Sequence, residues 1–155
     1  MNQPNPLHLS AETIAQISDH ARETFPEECC GVIFSNGATD RVQRLSNIQN
    51  KLHALDPLTY PRTAVIAYAM DPKELEKAMS DAAGAKLKAF YHSHPNHDAY
   101  FSDEDKAFAC PFGEPNFPGT AQIVVSIYEG GVRRICAYAW SDSASDFVEV
   151  AVNKV

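Results

Sequence analysis

The chain has 155 residues, 45% hydrophobic and 21% charged, with 13 basic against 20 acidic side chains and a formal net charge of −7. That length suits one domain over residues 1–155, with about 70% of its unfolded surface buried, and the hydrophobic share excludes a disordered chain. The acidic balance, with no clustered Lys and Arg, excludes a nucleic-acid partner, and no apolar run approaches the roughly 20 residues that cross a bilayer, so no membrane association is expected.

Met1 to Pro6 is polar, without a basic segment leading into an apolar one, so no secretory leader is expected. The first helix should begin at Ser10, a good cap, after which Ile14, Ile17, Ala21 and Phe25 recur at helical spacing until Pro26. Cys30 to Phe34 reads as a buried strand, Ser35-Asn36-Gly37 as a hairpin turn, and Arg41 to Leu45 as the partner strand. Adjacent Cys29 and Cys30 would then point to opposite faces. Together with Cys110 and Cys136 they form no C-x-x-C pair, and we read all as reduced and partly buried, in keeping with a cytoplasmic protein.

Ser46 to Pro61 reads as irregular, with turn marks at Asp56-Pro57 and Tyr60-Pro61. Ala64 to Met70 is a predicted strand. Asp71-Pro72 opens a second helix with the stripe Leu75, Met79, Ala82 and a stop at Gly84. Lys86 to His94 is the next strand, bounded by Pro95, and a loop leads to a third helix capped by Ser102-Asp103-Glu104-Asp105. After the Pro111 to Pro118 loop come strands at Ala121 to Tyr128 and Val132 to Trp140, then an edge strand at Phe147 to Val152. The order predicts an α/β or α+β domain, a mixed sheet with helices packed on it, with parallel pairing across the second helix.

The chemistry centres on His92-Ser93-His94. Residues two apart on a strand face the same side, so both imidazoles project together, as ligands of one metal must. Histidine favours zinc, and a catalytic zinc takes three protein ligands and keeps one position open. Asp105 fits the third place, three residues after Ser102 and on the same helical face. Singly these features are commonplace, since H-x-H occurs on many strands and S-x-x-D caps many helices; together they point to a metal site. A base is also needed, and Glu27 and Glu28, ahead of the buried strand, both qualify.

His92-Ser93-His94-Pro95, six residues, then Ser102-Asp103-Glu104-Asp105 resembles the JAMM motif of the MPN-plus zinc metallopeptidases. Pro26-Glu27-Glu28-Cys29-Cys30-Gly31 resembles the segment carrying the upstream glutamate in small bacterial members, and alignment on Cys30-Gly31 selects Glu28. Ala137 to Trp140 and Phe147 to Val150 look like the C-terminal strands of bacterial sulfur-carrier hydrolases. The resemblance implies a mixed, curved sheet flanked by helices, a fold related to the cytidine deaminases, although the H-x-E and P-C-x-x-C of deaminases are missing here. It implies Zn2+ held by His92, His94 and Asp105, Glu28 as general base, and Ser102 as an oxyanion donor. The implied substrate is a ubiquitin-like or sulfur-carrier protein, cut after its C-terminal Gly-Gly, with Leu52 to Tyr60 and Pro111 to Pro118 as cleft walls. The alternatives are an isopeptide deconjugase of ubiquitin-like modifiers and a non-catalytic scaffold; the complete ligand set argues against the scaffold. Of the remaining residues, His97 and Asp98 read as a solvated turn, Cys30 as inert core rather than a nucleophile, and Trp140 as core.

Overall fold

The computed structural model describes residues 3–155; Met1 and Asn2, which begin the stretch read as carrying no leader, lie outside the described residues. A short strand, β1 (Leu7–Leu9), leads into helix α1 (Ala11–Thr24). Ser10 caps it as predicted, its hydroxyl accepting the Thr13 N–H at 3.1 Å and so satisfying a donor that a helix start leaves unpaired. Strands β2 (Cys30–Ser35) and β3 (Asp40–Leu45) form the predicted hairpin. Asn36 closes its turn, with Oδ1 accepting the N–H groups of Ala38 and Thr39, both at 2.9 Å.

Helix α2 (Gln49–Leu55) follows, inside the stretch predicted to be irregular. Its cap residue, Ile48, makes no side-chain cap bond of its own, so the local signal that marks α1 is missing. The strand predicted at Ala64 to Met70 does not form; the segment makes turns and a single bridge, Asn47 to Met70. Helix α3 (Pro72–Ser80) starts as predicted at Asp71 but ends before Gly84, and Ala78 is buried where Met79 was expected. Strand β4 (Lys86–Pro95), helix α4 (Asp103–Ala109) and strands β5 (Ala121–Tyr128), β6 (Gly131–Ser141), β7 (Asp146–Val150) and β8 (Val152–Lys154) complete the chain. The predicted last strand is thus two, broken at Ala151, whose carbonyl accepts the Leu7 N–H at 2.8 Å and helps dock β1 alongside β8.

The main sheet has six strands in the order β3-β2-β4-β5-β6-β7. Within this sheet only β4 and β5 run parallel, and the crossover between them carries α4, not α3 as the sequence suggested. Cys29, Ile33, Ala89, Tyr91, Ile123 and Val125 face α1 in one core layer; Cys30, Val32, Phe34 and Phe90 face the other side with Met70 and Ala78. The two adjacent cysteines therefore part to opposite faces as expected, both free and fully buried. No helix among the described residues is long and apolar enough to cross a membrane.

Gly31 on β2 lies opposite Tyr91 on β4. A Cβ there would sit 2.5 Å from Cε1 and Cζ of the Tyr91 ring. That ring is fully buried, with its Oη 2.7 Å from His20 Nδ1, and cannot swing aside. Gly31→Ala is therefore expected to cost about 1–3 kcal/mol by overpacking, measured as a lower urea midpoint. An unchanged midpoint would mean that the ring has room to move.

Candidate metal centre

Strand β4 lies between β2 and β5, deep in the sheet, and its pleat sets His92 and His94 on the face of Phe90 while Tyr91 and Ser93 face α1. The Ser93 hydroxyl accepts the Cys29 N–H at 2.8 Å, tying β4 to the residue that follows Glu28. Helix α4 brings Asp105 to the same place. Its start is a full capping box: Ser102 Oγ accepts the Asp105 N–H at 3.1 Å, and Asp105 Oδ2 accepts the Ser102 N–H at 3.0 Å. An aspartate closes the box where Glu or Gln is usual, and the same Oδ2 faces both imidazoles.

The Nε2 atoms of His92 and His94 are 3.1 Å apart, and Asp105 Oδ2 lies 3.2 Å from the first and 3.3 Å from the second. Three donors bound tetrahedrally at 2.0–2.2 Å form a triangle with edges of about 3.3–3.5 Å, so the residues present fit a small divalent cation. Two imidazoles and a carboxylate are a donor set that suits zinc. Supporting contacts aim these donors. His94 Nδ1 lies 2.9 Å from the carbonyl of Asp98, which only accepts, so Nδ1 carries the proton and Nε2 offers its lone pair. His92 stacks on Tyr68, with ring centroids 4.3 Å apart and planes at 23°.

Glu28 enters from the loop before β2. A carboxylate oxygen of Glu28 and ring nitrogens of His92 and His94 all lie within 4.8 Å of one another. Glu27 turns away, its Oε2 accepting from Asn50 Nδ2 at 2.7 Å, so only Glu28 of the two candidate bases reaches the histidines.

The electrostatics follow from burial of Glu28, His92, His94 and Asp105 alike. Burial pushes the Glu28 carboxyl up to about 9; the Asp105 charge adds to this and Arg62 opposes it. Burial also lowers His92, with Asp105 working the other way, so that ring is neutral. At Asp105 burial favours the neutral acid, but the neighbouring His92 and His94 rings and the Ser102 N–H outweigh it and hold the carboxyl well below the usual range. A neutral imidazole and an ionised carboxylate are the forms in which these groups bind metals.

The site opens into a cleft of about 390 Å³, lined by Glu28, Arg62, Ile66, Ala67, Tyr68, His94, His97, Tyr100, Ser102, Glu104, Asp105 and Phe108. Arg62 pairs with Glu104 at 2.6 Å, joining the wall at 62–68 to α4. The walls differ from those predicted. None of Leu52 to Tyr60 lines this cleft, and Gly113, Glu114, Pro115 and Pro118 border a separate hollow beside Leu87 and Trp140. His97, read as a solvated turn, lines the cleft, and Asp98 contributes its carbonyl. Arg62 and Tyr68 were missed, and no motif spacing marks them. Cys30 is buried on β2, its thiol pushed up by burial, which suits a core residue and not a nucleophile.

Residues 10–138 match the family described as prokaryotic homologs of the JAB domain, a span that includes Glu28, His92, His94, Ser102 and Asp105. A desampylase of Haloferax volcanii is 29% identical over 152 residues, covering 94% of this chain and 96% of that protein. Among solved structures, one protein from Desulfitobacterium hafniense superposes with a TM-score of 0.70 at 21% identity, over 96% of this chain and 92% of that one. Another, from Salinibacter ruber, gives 0.57 at 23% identity over 96% and 91%. Both likenesses are of fold.

Proposed function

The chain belongs to the prokaryotic homologs of the JAB domain, and from that premise we propose that it is a zinc-dependent hydrolase. It would cut the amide bond that follows the C-terminal Gly-Gly of a ubiquitin-like protein. One observation carries this reading: the triangle of His92, His94 and Asp105, with edges of 3.1–3.3 Å and Glu28 beside it, opening onto a cleft. A divalent cation held by those three residues would polarise the scissile carbonyl and acidify water. Glu28 takes the proton of the attacking water and returns it to the departing amine, a task for which a buried carboxyl with a raised pKa is suited. Ser102 spends an acceptor position of its oxygen on the helix cap, which leaves its O–H to donate to the oxygen on which negative charge develops. The Arg62–Glu104 pair occupies part of the cleft lining, and a tail without side chains would pass beside it with least obstruction. Ile66, Tyr100 and Phe108, about half exposed at the cleft, offer apolar surface to the body of the modifier.

The match to a desampylase favours a conjugate over a simple C-terminal extension as the substrate, and a sulfur carrier is the other source of such a tail. Both are tested together. Ubiquitin-like proteins from the same genome would be offered with a C-terminal extension, and separately with the tail joined to a lysine side chain, and the products weighed by mass spectrometry. We expect release after Gly-Gly, stopped by chelator and restored by zinc. Release from the lysine conjugate alone would assign the protein as a deconjugase. A zinc-loaded protein that released nothing from either would refute the substrate, and one that bound no metal would revive the scaffold alternative.

A further inference from the structure

We propose that Asn47 is a positioning residue that locks Glu28 and the cleft wall at 62–69 into one unit; its catalytic part rests on the reading of Glu28 as general base. Asn47 stands just beyond β3, and its side-chain amide makes four hydrogen bonds. Nδ2 donates to the carbonyls of Glu28 at 2.9 Å and Ala67 at 3.1 Å, and Oδ1 accepts the N–H groups of Gln49 and Ala69, both at 3.0 Å. Two carbonyls on one side and two N–H groups on the other fix which way the amide faces and use both of its donors. The neighbours extend the tie. The Glu28 N–H donates to the Ala64 carbonyl at 2.7 Å, and the Ala64 N–H to Asn50 Oδ1 at 2.8 Å. Gln49 Nε2 holds the Arg62 carbonyl at 2.9 Å. The wall at 62–69 belongs to no helix or strand, so these bonds supply the order that a ladder would otherwise give. Glu28 is gripped on both sides of its backbone, its N–H by the wall and its C=O by Asn47. A general base must be held to a fraction of an ångström, since an error of 1 Å costs about 100-fold in rate.

Asn47→Asp is the discriminating variant, because it keeps both acceptor bonds and removes both donors. Amide hydrogen exchange is measured on the chain with metal and after chelation. We expect exchange at Glu28, Ala64 and Ile48 to quicken about 10-fold or more, while Val32 and Val124 within the sheet are unchanged. With substrate, kcat should fall about 10-fold or more at unchanged KM and metal content. Unchanged exchange at those amides would overturn the proposal. So would quickened exchange with full kcat, or a rate loss that only follows lost metal or lost folded protein. Asn47→Ala, read by the same exchange, decides the matter if the aspartate variant fails to fold, and unfolding of both would make Asn47 a determinant of the fold instead. The exchange result does not depend on the substrate: if wild-type protein cut no ubiquitin-like substrate while exchange quickened as stated, the tie would stand and the substrate reading would fall.

Discussion

Replacing Glu28 with glutamine is expected to abolish turnover while leaving the fold and the bound metal in place. The two side chains have the same shape, so the core is not disturbed, but an amide cannot accept and return a proton, a contribution of about 100- to 10,000-fold. Metal content should be unchanged, because the close triangle is made by His92, His94 and Asp105. The metal-free protein gives a second signature. Its Glu28 carboxyl, raised to about 9, stays protonated when folded across a range where the unfolded chain has already ionised. The stability that Glu28 contributes to the wild type is therefore lost as pH rises from about 4.5 to about 9, and the glutamine variant, with nothing to titrate at that position, escapes that loss. In chelator at pH 8, Glu28→Gln should melt several degrees above wild type, and the gap should close below pH 4.5. Full activity in the variant would remove Glu28 from the mechanism. Equal melting at both pH values would show that the carboxyl is not desolvated.

Asp105→Ala is expected to weaken metal binding about 100-fold or more, a larger effect than the usual loss of a group that merely supports a ligand, and to end turnover with it. The substitution also takes the Oδ2 acceptor from the Ser102 N–H, at a cost of about 1 kcal/mol at the start of α4. Asp105→Asn separates the two losses, since its amide oxygen can keep the cap while the charge is gone. We expect near-normal melting and little metal, read by mass spectrometry of the bound ion and by chelator competition. Glu28 also lies near both histidines, which gives the alternative a definite form. If Asp105→Ala kept a full equivalent of metal and Glu28→Gln lost it, Glu28 would be the third ligand and the base would have to be sought elsewhere.

Much of the candidate site's geometry was legible because its signals are short in range. The spacing of His92 and His94 on a strand, and of Ser102 and Asp105 at a helix start, each encode a local geometry, and the pleat and the capping box reproduce it. The choice between Glu27 and Glu28 was not local. It came from a likeness of sequence, and the fold gives it a physical basis, since Glu27 bonds Asn50 at the surface while Glu28 turns in to the histidines. The wall at 62–69 was illegible for the opposite reason. Its apolar, β-branched residues have strand propensity, but the segment's order comes from side chains of Asn47, Gln49 and Asn50, thirteen or more positions away from their partners at Arg62, Ala64, Ala67 and Ala69. Propensity reads neighbours in the chain and is blind to such ties. Helix α2 was missed because the residue at its cap, Ile48, has no side chain that can accept, and Asn47 bonds the Gln49 N–H from one position further back.

Strand β4 is held between β2 and β5. Both imidazoles stand on a strand paired along both of its edges, and the third donor is held by a cap that closes on itself. The donors are thus brought together by strand pairing and a helix cap, contacts that the chain makes with itself. Binding a cation there would order few side chains, so little of its binding free energy would be spent on arranging the donors.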